Sequence, residues 1–318
     1  MSKSEYTISE IVKIIKGELI HEGDANARIS ELAIDSRRLI APESSLFFAL
    51  TSKRNDGHKY IEELYDKGVR NFVVETDPSN LLLLYNANII KVKNTLSALQ
   101  MLATAHRKQF KIPVIGITGS NGKTIVKEWL YQLLNESRSI VRSPKSFNSQ
   151  IGVPLSVWQM RDDHELAIFE AGISQPGEME CLSYIINPTL GIFTNVGTAH
   201  DEHFTGHRQK VREKLKLFAA AETLVYASKY SLITECLDED PVYRRVRRFT
   251  WGTAESDNLQ VEKLTAGEGS TRIETVCRGE RLTIDIPFTD DASVENALHC
   301  LAAMLVLKEF RTGDVTER

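Results

Sequence analysis

The sequence predicts an α/β protein. A small α/β unit comes first, and a doubly wound, largely parallel sheet domain of the phosphate-loop type follows it. Three observations predict this class. From residue 114 onward, short apolar runs alternate with segments of helical periodicity, the grammar of βαβ units. A glycine-rich segment, Gly116-Ile117-Thr118-Gly119-Ser120-Asn121-Gly122-Lys123-Thr124, sits between one such run and a helix pattern. The residues before Pro113 carry their own set of apolar runs and turns, enough for a separate core.

The elements follow in order. Thr7-Ile8-Ser9-Glu10 reads as a capping box, and Ile8, Ile11, Val12, Ile15 and Leu19 continue at helical spacing, with Gly17 near the stop. Leu46 to Leu50 and Asn71 to Val74 are strand-like runs, separated by the polar turn Thr51 to His58. Asp77 to Asn94 holds a further Leu/Ile-rich run, and Ser97 to Phe110 reads as a helix. Lys111-Ile112-Pro113 marks the expected boundary between a first domain, 1–110, and a second, 111–318. In the second, Val114 to Thr118, Leu166 to Phe169, Leu190 to Asn195 and Leu224 to Ala227 are strand candidates, and Lys123 to about Asn135 is a helix. Residues 242–288 read as short strands and turns, with Arg244, Arg245, Arg247 and Arg248 forming a solvated basic face. Ser293 to Phe310 reads as a last helix, with Val294, Ala297, Leu298, Leu301 and Leu305 on one face and Asn296 opposite.

Bulk composition narrows the function. With a net charge of −4 the 318-residue chain shows no general nucleic-acid or membrane surface. Cys181, Cys236, Cys277 and Cys300 form no C-x-x-C pair, which argues against a zinc cluster or a disulfide framework and suits a reducing, cytoplasmic setting. The N-terminal MSKSEYTISE has no apolar signal region, and no apolar run reaches the ~20 residues of a membrane span.

Ligands of doubly wound sheets bind at the carboxyl ends of strands, and the candidate residues gather there. Gly119, Ser120, Asn121 and Gly122 supply a close-approaching backbone for phosphate oxygens, Lys123 a cation and Thr124 a hydroxyl for Mg²⁺. A glycine-rich turn without a ligand is the alternative. Glu170 ends a strand run, either as a second oxygen ligand for Mg²⁺ or as a solvent-facing carboxylate. His200 lies in a Gly/Thr/His turn after another strand, as a ligand or a structural histidine. On the stripe Val211, Leu215, Phe218, Lys214 falls on the flank. A lysine leaning into a core has a lowered pKa and becomes a nucleophile, open to CO₂ as a carbamate; the alternative is a snorkelling ammonium. Asn296 is free to meet a ligand such as a purine edge, or is exposed.

Together these segments resemble the Mur ligases, the ATP-dependent amide ligases of peptidoglycan synthesis. Gly119-Ser120-Asn121-Gly122-Lys123-Thr124 matches that family's G-T-N-G-K-[TS] loop. Phe147-Asn148-Ser149-Gln150-Ile151-Gly152-Val153-Pro154, Glu170-Ala171-Gly172, Gly177-Glu178-Met179, Asn187-Pro188 and Thr194 to His200 resemble, in order, the branch that adds D-alanyl-D-alanine to UDP-MurNAc-tripeptide. Asp35-Ser36-Arg37 and Asp56-Gly57-His58 resemble the uridine-nucleotide domain of that branch.

The resemblance implies roles. Lys123 and the loop hold ATP. Thr124, Glu170, His200 and a carbamylated Lys214 serve Mg²⁺, with Lys123, Lys214 and His200 catalytic, and Asn296 contacts adenine. Asp35, Ser36, Arg37, Asp56, Gly57, His58 and Asn148 serve the UDP substrate. It also implies a third, Rossmann-like domain beyond Arg318, and in some relatives a fused alanine racemase. Departures stand at Ser52, Ser146, Ser149 and Ser293, where the family pattern often has Gly or Asn. Rival readings are the sister ligase that adds the third peptide residue, a folylpolyglutamate synthase, a P-loop GTPase or kinase, and a binding-only module. The first domain argues against the synthase, and the absence of N-K-x-D argues against a GTPase.

Overall fold

The structure is a computed structural model that describes residues 5–52, 55–197 and 204–308. It comprises two compact units, residues 1–111 with 150–163 and residues 112–149 with 164–318.

The first unit begins with the short strand β1 (Tyr6–Thr7) and helix α1 (Ile8–Ile15), started by the Thr7/Glu10 capping box. Lys16 turns left-handed (φ 54) and stops the helix. Leu19 therefore lies not in α1 but in strand β2 (Glu18–His21). Strand β3 (Arg28–Ile29) pairs with β1. The main sheet is five-stranded, in the order β2, β7 (Asn88–Lys91), β6 (Asn71–Val74), β5 (Ser45–Phe48), β4 (Glu31–Ala33). Strands β4 to β7 are parallel and β2 is antiparallel.

Parallel strands covered on both faces read as unbroken apolar runs, as SLFF and NFVV do. Leu46, Phe48, Val73 and Ile90 face α1 and α3 (Thr95–Arg107); Phe47, Phe72, Val74 and Ile89 face α2 (Ile61–Asp66). The run from Asp77 to Asn94 is not one element: a 3-10 turn at Leu81–Leu83 leaves Leu82 exposed before β7 begins.

Residues 150–163, placed by the sequence in the second domain, pack with the first unit. They contain α5 (Gly152–Val157), which packs on α3, and Trp158, whose ring lies 5.2 Å from Tyr6 and 4.7 Å from His106. The Trp158 indole donates to Ser30 O at 2.8 Å. A boundary read from chain order misses such a return, because it depends on tertiary partners.

The second unit is built on a nine-stranded sheet. In chain order its strands are β8 (Val114–Thr118), β9 (Ile140–Arg142), β10 (Leu166–Glu170), β11 (Leu190–Phe193), β12 (Thr223–Ala227), β13 (Arg247–Gly252), β14 (Leu259–Ala266), β15 (Thr271–Cys277) and β16 (Glu280–Ile286). The spatial order is β16-β15-β14-β13-β12-β11-β8-β10-β9, parallel from β9 through β14 and antiparallel for the last two pairs.

Helices cover both faces. On one, α4 (Lys123–Leu134) and α9 (Asp291–Leu307) share a core of Val126, Leu130, Ala297, Leu298 and Leu301 with Ile115, Ile168 and Ile192. The other buries Phe169, Phe193 and Leu224, with Phe218 against Gly191, where a Cβ would meet its ring at 2.4 Å. Helix α6 (Glu178–Ile186) packs on the turn at Lys216–Phe218, and α7 (His207–Leu215) on α8 (Ser231–Glu239). Of the arginine cluster, Arg244 and Arg245 are exposed, and Arg248 pairs with Asp238 at 2.7 Å.

Strand β8 lies between β10, reached after β9, and β11, where the chain crosses to the other side. That is a switch point, where strand ends diverge and leave a crevice.

Candidate functional site

The loop that leaves β8 is shaped by two glycines. Gly119 has φ +145, and a Cβ there would lie 2.0 Å from Thr194 Oγ1. Gly122 has φ +81, and its Cβ would lie 2.4 Å from Asn296 Oδ1. Both positions need the left-handed freedom and the small size of glycine. The end of β11 buttresses the loop: Ser120 N–H donates to Asn195 O at 3.1 Å and Asn121 N–H to Asn195 Oδ1 at 2.9 Å. Gly122 caps α4 without a side chain, so the first-turn N–H groups and the positive end of the helix dipole face the loop.

Lysines converge on this backbone. Lys123 Nζ folds back to Gly119 O at 3.0 Å and Ser120 O at 3.2 Å. Lys214, only 4% exposed, donates to the same Gly119 O at 2.9 Å. Lys210, one helical turn earlier on α7 and 2% exposed, donates to Gly197 O at 2.6 Å. Burial is the main force lowering the Lys123 pKa, with Lys210 adding to it and Glu170 opposing it. Burial, then Lys123 and Lys210, brings Lys214 down to about 7. Of the alternatives for Lys214, the snorkelling one fails: its nitrogen points inward. The stripe Val211, Leu215, Phe218 located the helix face, but it did not reveal Lys210, which precedes the stripe on the same side.

Glu170 ends β10 fully buried, so its solvent-facing alternative also fails. Its Oε2 accepts from the Thr124 hydroxyl at 2.9 Å, and its Oε1 from Lys127 Nζ at 3.3 Å. Among the described residues no three His, Cys, Asp or Glu side chains gather as a metal cluster. A hydroxyl and one carboxylate oxygen, side by side beneath a phosphate-type loop, fit Mg²⁺, which takes few protein ligands and completes its shell with phosphate and water. His200 lies outside the described residues.

Asn296 is 8% exposed and sits over Gly122, so it faces the loop rather than solvent. The Asn148 carbonyl accepts Gly172 N–H at 2.8 Å, placing Asn148 beside the segment that follows Glu170. In the first unit, Asp35-Ser36-Arg37 and Asp56-Gly57-His58 follow the carboxyl ends of the adjacent strands β4 and β5. Arg37 grips Asp35 through two bonds of 2.9 and 2.8 Å, which hold the carboxyl well below the usual carboxylate range. Both ring nitrogens of His58 are engaged: Nδ1 with Asp56 at 2.7 Å, and Nε2 with Glu75 N–H at 3.0 Å. Gly57 is packed against Ala49, where a Cβ would meet backbone at 2.8 Å. The Asp56–His58 turn is thus a hydrogen-bonded bracket between strand ends.

Sequence reasoning missed His299. It is fully buried on α9. The Trp251 indole can only donate, so Nδ1 accepts from it at 3.1 Å and Nε2–H donates to Thr194 O at 2.7 Å. The Thr194 hydroxyl in turn donates to Asn121 O at 2.5 Å. Burial pushes the His299 pKa down to about 4. Protonation therefore favours the unfolded chain. The stabilisation is complete above the ordinary histidine pKa and is lost as pH falls towards about 4, worth about 3 kcal/mol by linkage. Urea denaturation at pH 7 and pH 4.5 should show a smaller acid loss in His299→Phe than in the wild type; equal losses would contradict the assignment.

Comparisons with known proteins now bear on this geometry. Residues 117–304 match the Mur ligase middle domain. The chain is 29% identical over 300 residues to the UDP-N-acetylmuramoyl-tripeptide–D-alanyl-D-alanine ligase of Bacillus subtilis, covering 93% of this chain and 63% of that protein. It spans less than two thirds of that relative's length. Among solved structures it resembles MurF from Acinetobacter baumannii (TM-score 0.86, 22% identity, 97% of this chain and 66% of that one). It also resembles MurF ligase from Thermotoga maritima in complex with ADP (TM-score 0.78, 25% identity, 91% and 66%).

Proposed function

The chain belongs to the Mur ligase family, and on that premise we propose that it carries the nucleotide and UDP-precursor sites of an ATP-dependent ligase that joins D-alanyl-D-alanine to UDP-MurNAc-tripeptide. The observation that carries the proposal is the cluster at the end of β8: Lys123 and Lys214 on one carbonyl, Lys210 beside them, and Glu170 paired with Thr124. An anion placed among Lys123, Lys210 and Lys214 relieves their mutual repulsion, as Glu170 already does in part for Lys123. The γ-phosphate of ATP is such an anion, and so is a carbamate on Lys214. The ADP complex of the Thermotoga relative supports the nucleotide reading.

In this mechanism the tripeptide carboxylate attacks the γ-phosphate and ADP leaves. The amine of D-alanyl-D-alanine then attacks the acyl phosphate, and inorganic phosphate leaves. Bringing two anions together needs positive charge already in place; the first-turn amides of α4 supply part of it, and Lys123 and Lys210 supply the rest from beside the loop, Lys123 by turning from the loop carbonyls towards phosphate. Thr124, Glu170 and a carbamylated Lys214 would hold Mg²⁺, which neutralises phosphate charge when bound. Asn296 stands over Gly122, where an adenine edge would extend from the phosphates. In the first unit, the Asp35–Arg37 pair and the bracket at Asp56–His58 would meet the uridine nucleotide. The setting that suits this chemistry is the cytoplasm, and no helix among the described residues is long and apolar enough to cross a membrane.

The test is a ligation assay with UDP-MurNAc-tripeptide, ATP and Mg²⁺, read by product mass. Product with D-alanyl-D-alanine supports the reading. Product only when UDP-MurNAc-dipeptide meets a free amino acid would move the chain to the sister ligase. ATP and UDP-substrate binding by the chain without product would assign it the binding steps only.

A further inference from the structure

We propose that Lys127 is a positioning residue that sets which oxygen of Glu170 faces the nucleotide site. The proposal rests on the ligase reading above. Lys127 lies one turn after Lys123 on α4 and has no exposed surface. An ammonium there carries a desolvation cost that a methionine filling similar space would not. What compensates is a set of acceptors. Lys127 Nζ donates to Ser143 O at 2.7 Å, to Lys145 O, and to Glu170 Oε1 at 3.3 Å, with Glu128 Oε1 at 3.2 Å. The chain turns left-handed at Lys145 (φ 49), next to the carbonyl Lys127 holds. Glu170 N–H closes the knot on Ser143 Oγ at 3.3 Å.

The consequence is chemical. With Oε1 turned to the Lys127 ammonium, the oxygen Glu170 presents beside Thr124 is Oε2, which favours one-oxygen contact with a cation there. One-oxygen ligation suits a small cation that keeps its waters, whereas a larger cation such as Ca²⁺ favours two-oxygen carboxylates.

The experiment titrates Mn²⁺ into the ADP complex of this chain by electron paramagnetic resonance, with Ca²⁺ as competitor and metal-free ADP binding as control. Lys127→Met should weaken Mn²⁺ at least 10-fold, narrow the preference for Mn²⁺ over Ca²⁺, and leave metal-free ADP binding within 2-fold. In a Glu170→Gln background the same change should add less than 2-fold to the loss. Wild-type Mn²⁺ affinity in Lys127→Met, or equal weakening of Mn²⁺ and metal-free ADP, would overturn the proposal. If Lys127→Met does not fold, Lys127→Arg decides. It keeps the charge but not the tetrahedral reach, so a loss of about 3-fold or more supports positioning and wild-type affinity overturns it. Glu170→Gln with unchanged Mn²⁺ affinity would instead strike the metal reading of Glu170 itself.

Discussion

Lys123→Ala is expected to weaken Mg-ADP binding by roughly 10- to 150-fold, the worth of a charge-assisted hydrogen bond to phosphate, about 1.5–3 kcal/mol. Where ligation is measured, turnover should fall further, by about 10²–10³, because the charge that develops on the transferring phosphoryl group loses a preorganised partner. The reason is local. The Lys123 ammonium has no carboxylate within bonding distance among the described residues and rests on the carbonyls of Gly119 and Ser120. It therefore gives up little to turn towards phosphate. Calorimetric titration of ADP into the wild type and Lys123→Ala checks this, and equal affinities would remove the loop assignment.

Where ligation is measured, Lys214→Ala is expected to abolish it, with a loss of at least about 10³ in kcat, and to regain part of it with a small carboxylate such as formate or acetate. Lys214 is poised for this chemistry because burial and two neighbouring ammonium groups bring its pKa to about 7. Only the neutral amine attacks CO₂, so the sign is fixed: at constant dissolved CO₂ the carbamate should grow as pH rises through about 7. A ¹³C carbamate signal from labelled CO₂, present in the wild type, absent in Lys214→Ala and rising from pH 6 to 8, is the expected result. Full ligation by the alanine variant would exclude a role for the carbamate.

Much of this site can be read from residue order, for a physical reason. The loop, Glu170 and Thr124 are local features: strand, tight turn and helix start each need particular residues at fixed spacing, and the carboxyl ends of parallel strands fall together in space. Lys214 was legible as a flank position because helical periodicity is also local. What was not legible depends on tertiary partners. Lys127 and Lys210 look like ordinary surface lysines in VKEWL and HRQKV, and only the packing of α4 on the sheet and of α7 on α6 and α8 buries them. His299 sits in an apolar helix pattern that gives no hint of Trp251 or Thr194 as partners. The return of residues 150–163 to the first unit, and the end of α1 before Leu19, were settled by side-chain packing and a left-handed cap. The uridine-side residues show the converse. Asp35, Arg37, Asp56 and His58 are already bonded within their own turns, so their residue types alone did not separate a binding role from a bracing one.

The central claim is that this chain holds a nucleotide site at the end of β8 and a UDP-precursor site in its first unit. The most direct measurement is the melting temperature of the chain with Mg-ADP, with UDP-MurNAc-tripeptide and with UDP alone. A ligand that binds only the folded state stabilises by about 2.7 kcal/mol at a concentration 100 times its Kd. The account predicts clear upward shifts with Mg-ADP and with the UDP-tripeptide, the latter larger than with UDP alone, and loss of the Mg-ADP shift in Lys123→Ala. No shift with Mg-ADP, or an equal one in Lys123→Ala, would contradict it.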